Sequence, residues 1–95
     1  MVNAIVLLKV ERDKVNDVAK ALVDTKGVSE VYSVSGRFDL VVLIRVKTND
    51  ELSDTVTNHM RKLSSILSTE TMLAFQTLSR HDLDAMFSSG LDRLP

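Results

Sequence analysis

Residues 31–46, with the sequence VYSVSGRFDLVVLIRV, constrain the fold more than any other part of this chain. Two apolar runs flank a short polar turn, and β-branched and aromatic residues on both sides of a Gly-containing turn are typical of a β-hairpin. Gly36 is the natural position for a positive φ. The second arm, from Phe38 to Val46, is apolar on both faces and needs cover on both. Because a short chain has few elements to supply two covers, the hairpin predicts a partner.

The composition indicates one globular domain, since 95 residues are 44% hydrophobic and 26% charged. A net charge of −1 lacks the basic excess with which proteins neutralise phosphates, so no direct nucleic-acid partner is expected. The sequence has no Cys, which excludes disulfides and thiolate chemistry and is compatible with a reducing cytosol. No apolar run approaches the roughly 20 residues of a membrane span. We therefore expect a cytoplasmic protein without a membrane partner.

Apolar periodicity and turn signals divide the chain into seven elements. They are strands over residues 2–10, 28–35, 38–47 and 66–78, helices over 11–24 and 49–64, and a short C-terminal helix that begins near residue 80. The second helix has the clearest start, because Thr48 and Glu51 have the spacing of a capping box. The C-terminal helix would bury Leu83, Met86 and Phe87, either within its own subunit or on a neighbour.

The order strand, helix, strand, strand, helix, strand predicts a ferredoxin-like βαββαβ fold of the α+β class. Right-handed crossovers place both helices on one face of an antiparallel sheet. Residues 1–79 then form the domain, and residues 80–95 form the short helix and tail. The opposite, open face of the sheet has an apolar centre formed by Ile5, Leu7, Val41 and Leu43. Since a soluble monomer rarely exposes such a face, we expect a dimer through it.

Catalytic side chains are scarce. His59, beside the buried face of the second helix, fits a half-exposed structural residue, and His81 with Asp82 offers too few ligands for a metal. No Gly-rich phosphate loop is present. No cofactor, metal site or enzymatic activity is therefore expected.

Asp39 differs from the other carboxylates, most of which fit helix starts or solvated faces. It follows a tight turn and precedes an unbroken apolar strand. Its carboxylate could accept backbone N–H groups of the turn, or it could supply a fixed charge for an ammonium group at the mouth of a cleft. Thr69 and Thr71 add hydroxyls near the start of the last strand. Both interpretations of Asp39 stay open at this point.

The hairpin pattern Val-x-x-Val-x-Gly-x-x-Asp, here VYSVSGRFD, resembles the effector-binding domain of the Lrp/AsnC transcription regulators. The runs DLVVLIRV and STETMLAFQTL resemble the strands that follow in that family, and the resemblance covers about residues 1–79. It implies dimers that associate further into rings of eight, with amino acids bound in clefts between dimers. The ligand-binding residues that it implies by position are Tyr32, Ser35, Gly36, Arg37, Asp39, Thr69 and Thr71. Turn backbone and hydroxyls would hold the ligand carboxylate, and Asp39 its ammonium group.

Two features depart from the family pattern. The N-terminal helix-turn-helix is missing, so the chain resembles stand-alone versions that act by themselves or by co-assembly with full-length regulators. Ser65 and Ile66 replace a Gly-Val pair common in the family, which alters the loop beside the expected cleft. The identity of the effector therefore does not follow from the resemblance, and neither does the choice between dimer and octamer.

Three other functions fit the sequence less well. A cofactor-free enzyme of the dimeric ferredoxin-like barrel type needs a polar pocket with a reachable His, for which only His59 is suitable. An amino-acid-binding module of the ACT type normally regulates an attached enzyme, and no attached domain is evident. RNA binding by a sheet needs stacking aromatics on its open face, for which only Tyr32, Phe38 and Phe75 are available.

Overall fold

The computed structural model describes residues 1–78 and Arg80. Its elements are β1 (Val2–Val10), α1 (Val15–Val23), β2 (Val28–Ser33), β3 (Leu40–Val46), α2 (Asn49–Asp54) and β4 (Ile66–Leu73). One 3₁₀ turn, Arg12–Lys14, precedes α1, and α2 continues directly as a π-helix over Thr55–Met60. This order confirms the βαββαβ arrangement. The expected C-terminal helix lies outside the described residues, and the division at residue 79 stays a prediction.

The four strands form one sheet in the order β2-β3-β1-β4, with every neighbouring pair antiparallel. Alternate residues of the two central strands are buried on one face, where Leu8 lies opposite Leu40 and Val6 opposite Val42. Both helices cover this face. Val18 and Leu22 of α1 and Met60 of the π-helix complete the same core. The predicted α+β fold with two helices on one face is therefore confirmed.

Several element ends were predicted wrongly. β4 ends at Leu73 rather than at residue 78, and its last paired residue lies opposite Ala4 of β1. The amide of Ala74 still donates to the carbonyl of Asn3 at 2.9 Å, and pairing stops there. β2 and β3 are also shorter than predicted, and residues 34–39 form a six-residue connection between them. The second helix ends at Met60 rather than at residue 64.

The predicted capping box begins α2. Thr48 Oγ1 accepts the Glu51 N–H at 3.1 Å, and the Glu51 carboxylate reaches back to the Lys47 N–H at 3.0 Å. Farther along, the buried Thr55 hydroxyl donates to the Glu51 carbonyl at 3.0 Å. These contacts fix the helix against the end of β3.

The open face of the sheet has the composition that the sequence predicts. Register places Ile5 opposite Leu43 and Leu7 opposite Val41, and these four side chains are only half-buried. Tyr32 of β2 borders them, as does Met72 of β4. No helix in the described residues has the length and apolar character that crossing a membrane requires.

Candidate functional site

Asp39 joins the hairpin to the end of β1. Its backbone N–H donates to the Leu8 carbonyl at 2.8 Å, and its carboxylate Oδ2 accepts the Val10 N–H at 2.8 Å. The carboxylate therefore takes the place of a backbone acceptor where the β1–β3 ladder ends. It does accept a backbone amide, as one interpretation has it, but that amide belongs to β1 and not to the turn.

The turn itself is exposed. Ser35, Gly36 and Arg37 lie at its tip, and the Val34 N–H donates to the Asp39 carbonyl at 3.0 Å to close it. Gly36 has φ +117°, which side-chain-bearing residues rarely adopt, and a Cβ there would meet no atom within 4 Å. Backbone conformation alone thus requires this glycine, and the tip leaves open space for a ligand.

Thr69 and Thr71 lie on the edge strand β4, opposite Leu8 and Val6. Directly paired residues of antiparallel strands point to the same face, so both threonines face the helix side of the sheet. They are nevertheless exposed, because the helices pack on β1, β2 and β3 and leave β4 uncovered. The result is a polar shelf, formed by Thr69 and Thr71, at the same end of β1 that Asp39 holds.

Tyr32 is separated from this shelf. It lies opposite Val41 and therefore on the open face, and β2 and β4 are the two opposite edges of the sheet. Three strand spacings, about 14 Å, lie between those edges. The Tyr32 hydroxyl donates to the Glu30 carboxylate, and this bond, with the negative charge of Glu30, raises the pKa of Tyr32 above its ordinary value. One copy of the chain therefore does not gather the seven predicted residues into one pocket.

A polar group lies on the second helix, and of its three residues the sequence singled out His59 but not Asp54 or Asn58. Asp54 accepts a hydrogen bond from the Asn58 side-chain amide at 2.6 Å, and His59 Nε2 lies 3.4 Å from Asp54 Oδ2. The hydrogen bond from Asn58 is the main cause that lowers the pKa of Asp54. Burial acts in the opposite direction, and His59 lowers this pKa further. The i, i+4 spacing of Asp54 and Asn58 was the available sequence signal. In residues 1–78, no group of three or more potential metal ligands converges.

A family model matches most of the chain. The model of the Lrp/AsnC ligand binding domain matches residues 3–84. The chain belongs to the Lrp/AsnC family. Its resemblance to that family in the hairpin and late strand is thereby confirmed.

Relatives agree with this assignment. The chain is 34% identical over 74 residues to the HTH-type transcriptional regulator FL11 of Pyrococcus abyssi, covering 78% of this chain and 48% of that protein. The chain thus spans about half the length of this relative. The crystal structure of TTHA0845 from Thermus thermophilus is similar over its full length, with 40% identity, 84% of this chain covered and a TM-score of 0.79.

A structure of the same fold at lower sequence identity was solved with a ligand. The feast or famine regulatory protein Rv3291c of M. tuberculosis, complexed with L-methionine, shares the fold at 22% identity. The match has a TM-score of 0.69 and covers 83% of this chain and 53% of that one. The structures that share this fold thus include one solved with a bound amino acid.

Proposed function

We propose that this chain is an effector-binding and oligomerisation module of the Lrp/AsnC type, which binds an amino acid and pairs through its open sheet face. One observation carries the proposal: a four-stranded sheet with helices on one face and an apolar centre on the other. Ile5, Leu7, Val41 and Leu43 form that centre, and charged groups such as Lys9 and Glu70 surround it. An apolar patch with a polar rim is the usual anatomy of a protein interface.

A second copy of the same face is the occupant that fits best. A two-fold axis through the centre of the sheet would stack the two apolar patches as in a β-sandwich, with sheets about 10 Å apart. Both copies would then bury Leu7 and Val41. Further association of dimers into a ring of eight is part of the proposal.

The effector site is proposed to be composite. Because Tyr32 and the shelf of Thr69 and Thr71 lie on opposite faces and edges of one sheet, only residues from different copies can surround one small ligand. The hairpin tip of one copy, fixed by the bond of Asp39 to Val10, would meet the shelf of another. Ser35, Gly36 and Arg37 would offer backbone and side-chain donors to a carboxylate. Asp39 would face the ammonium group with the carboxylate that also holds the hairpin.

Such a site links binding to assembly. A ligand shifts an assembly equilibrium only by its difference in affinity for the two states, and a site completed by a second copy has that property. The L-methionine complex of the M. tuberculosis relative supports an amino acid as the ligand class. Because the two chains share only 22% of their residues, the proposal names amino acids as a class and not L-methionine in particular.

Thermal denaturation and light scattering in the presence of each of the twenty amino acids test the effector proposal. A ligand at a hundredfold excess over its dissociation constant stabilises the folded state by about 2.7 kcal/mol, which raises the Tm of a domain of this size by roughly 10 °C or more. A change in molecular mass should accompany the shift. If none of the twenty changes either quantity, effector binding is refuted.

Variants locate the site. Thr69→Val with Thr71→Val should abolish the Tm shift and leave the ligand-free dimer intact, because both hydroxyls are exposed. Thr57→Val, an exposed threonine on the π-helix, is the matched control and should respond like the wild type. If the Tm shift of the Thr69→Val, Thr71→Val variant is unchanged, the ligand binds at another site.

Co-assembly with full-length Lrp/AsnC regulators would use the same open face, and we propose it as the route by which a chain like this acts on transcription in the cytoplasm. Native mass spectrometry of the chain mixed with a full-length regulator from the same organism tests this. Mixed oligomers are expected. If only separate homo-oligomers are found after overnight mixing, co-assembly is refuted and the module acts by itself.

A further inference from the structure

A separate cleft lies at the end of the sheet opposite the hairpin. It has a volume of about 500 Å³ and lies between the second helix, the α1–β2 loop and the ends of β1 and β3. β1 spans nine residues, so about 26 Å separates its two ends. The cleft and the hairpin can therefore be observed independently in one experiment.

Packing fixes the floor of the cleft. Gly27 in the α1–β2 loop has φ +94°, and a Cβ there would lie 2.8 Å from Val46 Cγ1 and 3.1 Å from Thr55 Oγ1. The buried Thr55 hydroxyl lies 3.4 Å from the Lys26 carbonyl, which ties the helix to this loop. Loop, strand end and helix are thus in close contact, and the cleft above them has rigid walls.

The two walls carry opposite charges. The helix wall presents Asp50 and Asp54, and the loop and strand wall presents Lys26 and Lys47. Within the described part of the chain, the one contact within 4 Å between a basic and an acidic side chain is that of His59 with Asp54. The lysines of one wall and the aspartates of the other therefore stay more than 4 Å apart.

Other charged groups of the cleft are engaged by their own subunit. Glu51 accepts the backbone N–H of Lys47 at 3.0 Å, and Arg45 Nε donates to Asn3 Oδ1 at 3.1 Å. Asp54 Oδ1 accepts the Asn58 amide at 2.6 Å, and Asp54 Oδ2 lies 3.4 Å from His59 Nε2. In residues 1–78, the side chains of Lys26, Lys47 and Asp50 make no comparable bond, and they are the groups left to meet a ligand.

We propose that this cleft binds a small zwitterion of the class of free α-amino acids, with its carboxylate toward Lys26 and Lys47 and its ammonium group toward Asp50. The aspartates of the helix wall would repel a simple anion, and the lysines of the opposite wall would repel a simple cation. Only a ligand that carries both charges is attracted to both walls. This site is distinct from the effector site proposed at the hairpin, and it needs no second copy.

Amide NMR spectra of the full chain, titrated with each of the twenty amino acids to about 10 mM, test the proposal at roughly tenfold excess over a 1 mM dissociation constant. Amides of Gly27, Lys47 and Asp50 report on the cleft, and amides of Ser35 and Gly36 report on the hairpin. We expect at least one amino acid to shift the cleft amides. Its decarboxylated amine and its deaminated acid should each bind at least about fivefold more weakly.

The double variant Lys47→Gln with Asp50→Asn conserves net charge and should weaken binding at the cleft at least about fivefold. Asp17→Asn with Lys20→Gln makes the same changes on the exposed face of α1 and should leave binding unchanged. Affinity retained in the cleft variant would overturn the proposal, as would an amine or acid that binds as well as the amino acid.

The outcomes separate the two sites. Shifts confined to the hairpin amides would support the effector proposal and overturn this one. Shifts confined to the cleft amides would support this one and count against the hairpin. Loss of the cleft shifts in the Lys47→Gln, Asp50→Asn variant, with hairpin shifts retained, would establish both.

Discussion

Asp39 satisfies the backbone at the point where the regular ladder between β1 and β3 ends. Val10 has no partner residue in β3, and on the β4 side the register shifts between Lys9 and Val10. The Asp39 carboxylate supplies the acceptor that the Val10 N–H lacks. Asp39 therefore stabilises the fold in addition to its proposed role in the effector site.

Replacement of Asp39 should therefore destabilise the domain even without ligand. In Asp39→Ala the half-buried Val10 N–H loses its acceptor, which should lower the free energy of unfolding by about 1–3 kcal/mol. Asp39→Asn keeps an oxygen acceptor and should lower the free energy of unfolding by less. Urea denaturation at one protein concentration measures both, with Asp17→Ala as a control on exposed α1. Equal stability of wild type and Asp39→Ala would contradict this role.

Asn58 controls the titration of Asp54. Its amide donates to the Asp54 carboxylate and is the main cause that lowers the pKa of Asp54. A carboxyl group with a lowered folded-state pKa stabilises the fold above its unfolded pKa, and this stabilisation is lost as the pH falls through the folded value. Asn58→Ala should raise the pKa of Asp54 toward its ordinary value, as measured by carbon-detected NMR titration. Asn16→Ala on α1 should leave it unchanged, and an unshifted Asp54 in Asn58→Ala would exclude Asn58 as the cause.

The connection between α1 and β2 depends on its glycine for two reasons, whereas the hairpin turn depends on its glycine for one. Gly27→Ala meets both a positive φ and a Cβ contact of 2.8 Å with Val46, and Gly36→Ala meets only the positive φ. Backbone strain alone costs about 1–3 kcal/mol, and overpacking adds about as much again. Urea denaturation should thus show a larger loss for Gly27→Ala. The reverse order would mean that the α1–β2 loop moves away from Val46.

The sequence predicts the order of the elements better than their ends. Local patterns specify the type and the position of an element. Examples are the apolar alternation in the first and third strands and the capping box at Thr48. The end of β4 is not a local feature, because it is set by pairing with β1, about 70 residues earlier in the chain. The π-helix over Thr55–Met60 likewise has no signal in the apolar spacing, which suits an α-helix almost equally well.

The predicted site residues illustrate the same limit. The hairpin motif identified Gly36 and Asp39 at one end of the sheet, and both lie there. The partner of the Asp39 carboxylate is 29 residues away in sequence, so only the pairing of β1 with β3 reveals it. The separation of Tyr32 from Thr69 follows from strand order and register, neither of which the motif contains.

For the whole molecule, we predict that assembly depends on the open face. Two copies related by a two-fold axis would each bury this face, so a single substitution there acts twice. Leu7 lies in its centre, opposite Val41 on one side and Glu70 on the other. A lysine at position 7 could pair with Glu70 across the strands, which keeps the subunit folded while it charges the interface.

Leu7→Lys should therefore convert the proposed dimer into a folded monomer. Loss of about 1.5–3 kcal/mol of apolar burial in each copy would raise the dissociation constant at least about a hundredfold. Size-exclusion chromatography with light scattering measures the mass, and circular dichroism checks the fold. Val23→Lys, an exposed apolar position on α1, is the matched control and should stay dimeric. A wild-type chain that is monomeric at micromolar concentration would refute the interface, as would a Leu7→Lys variant that keeps the dimer mass.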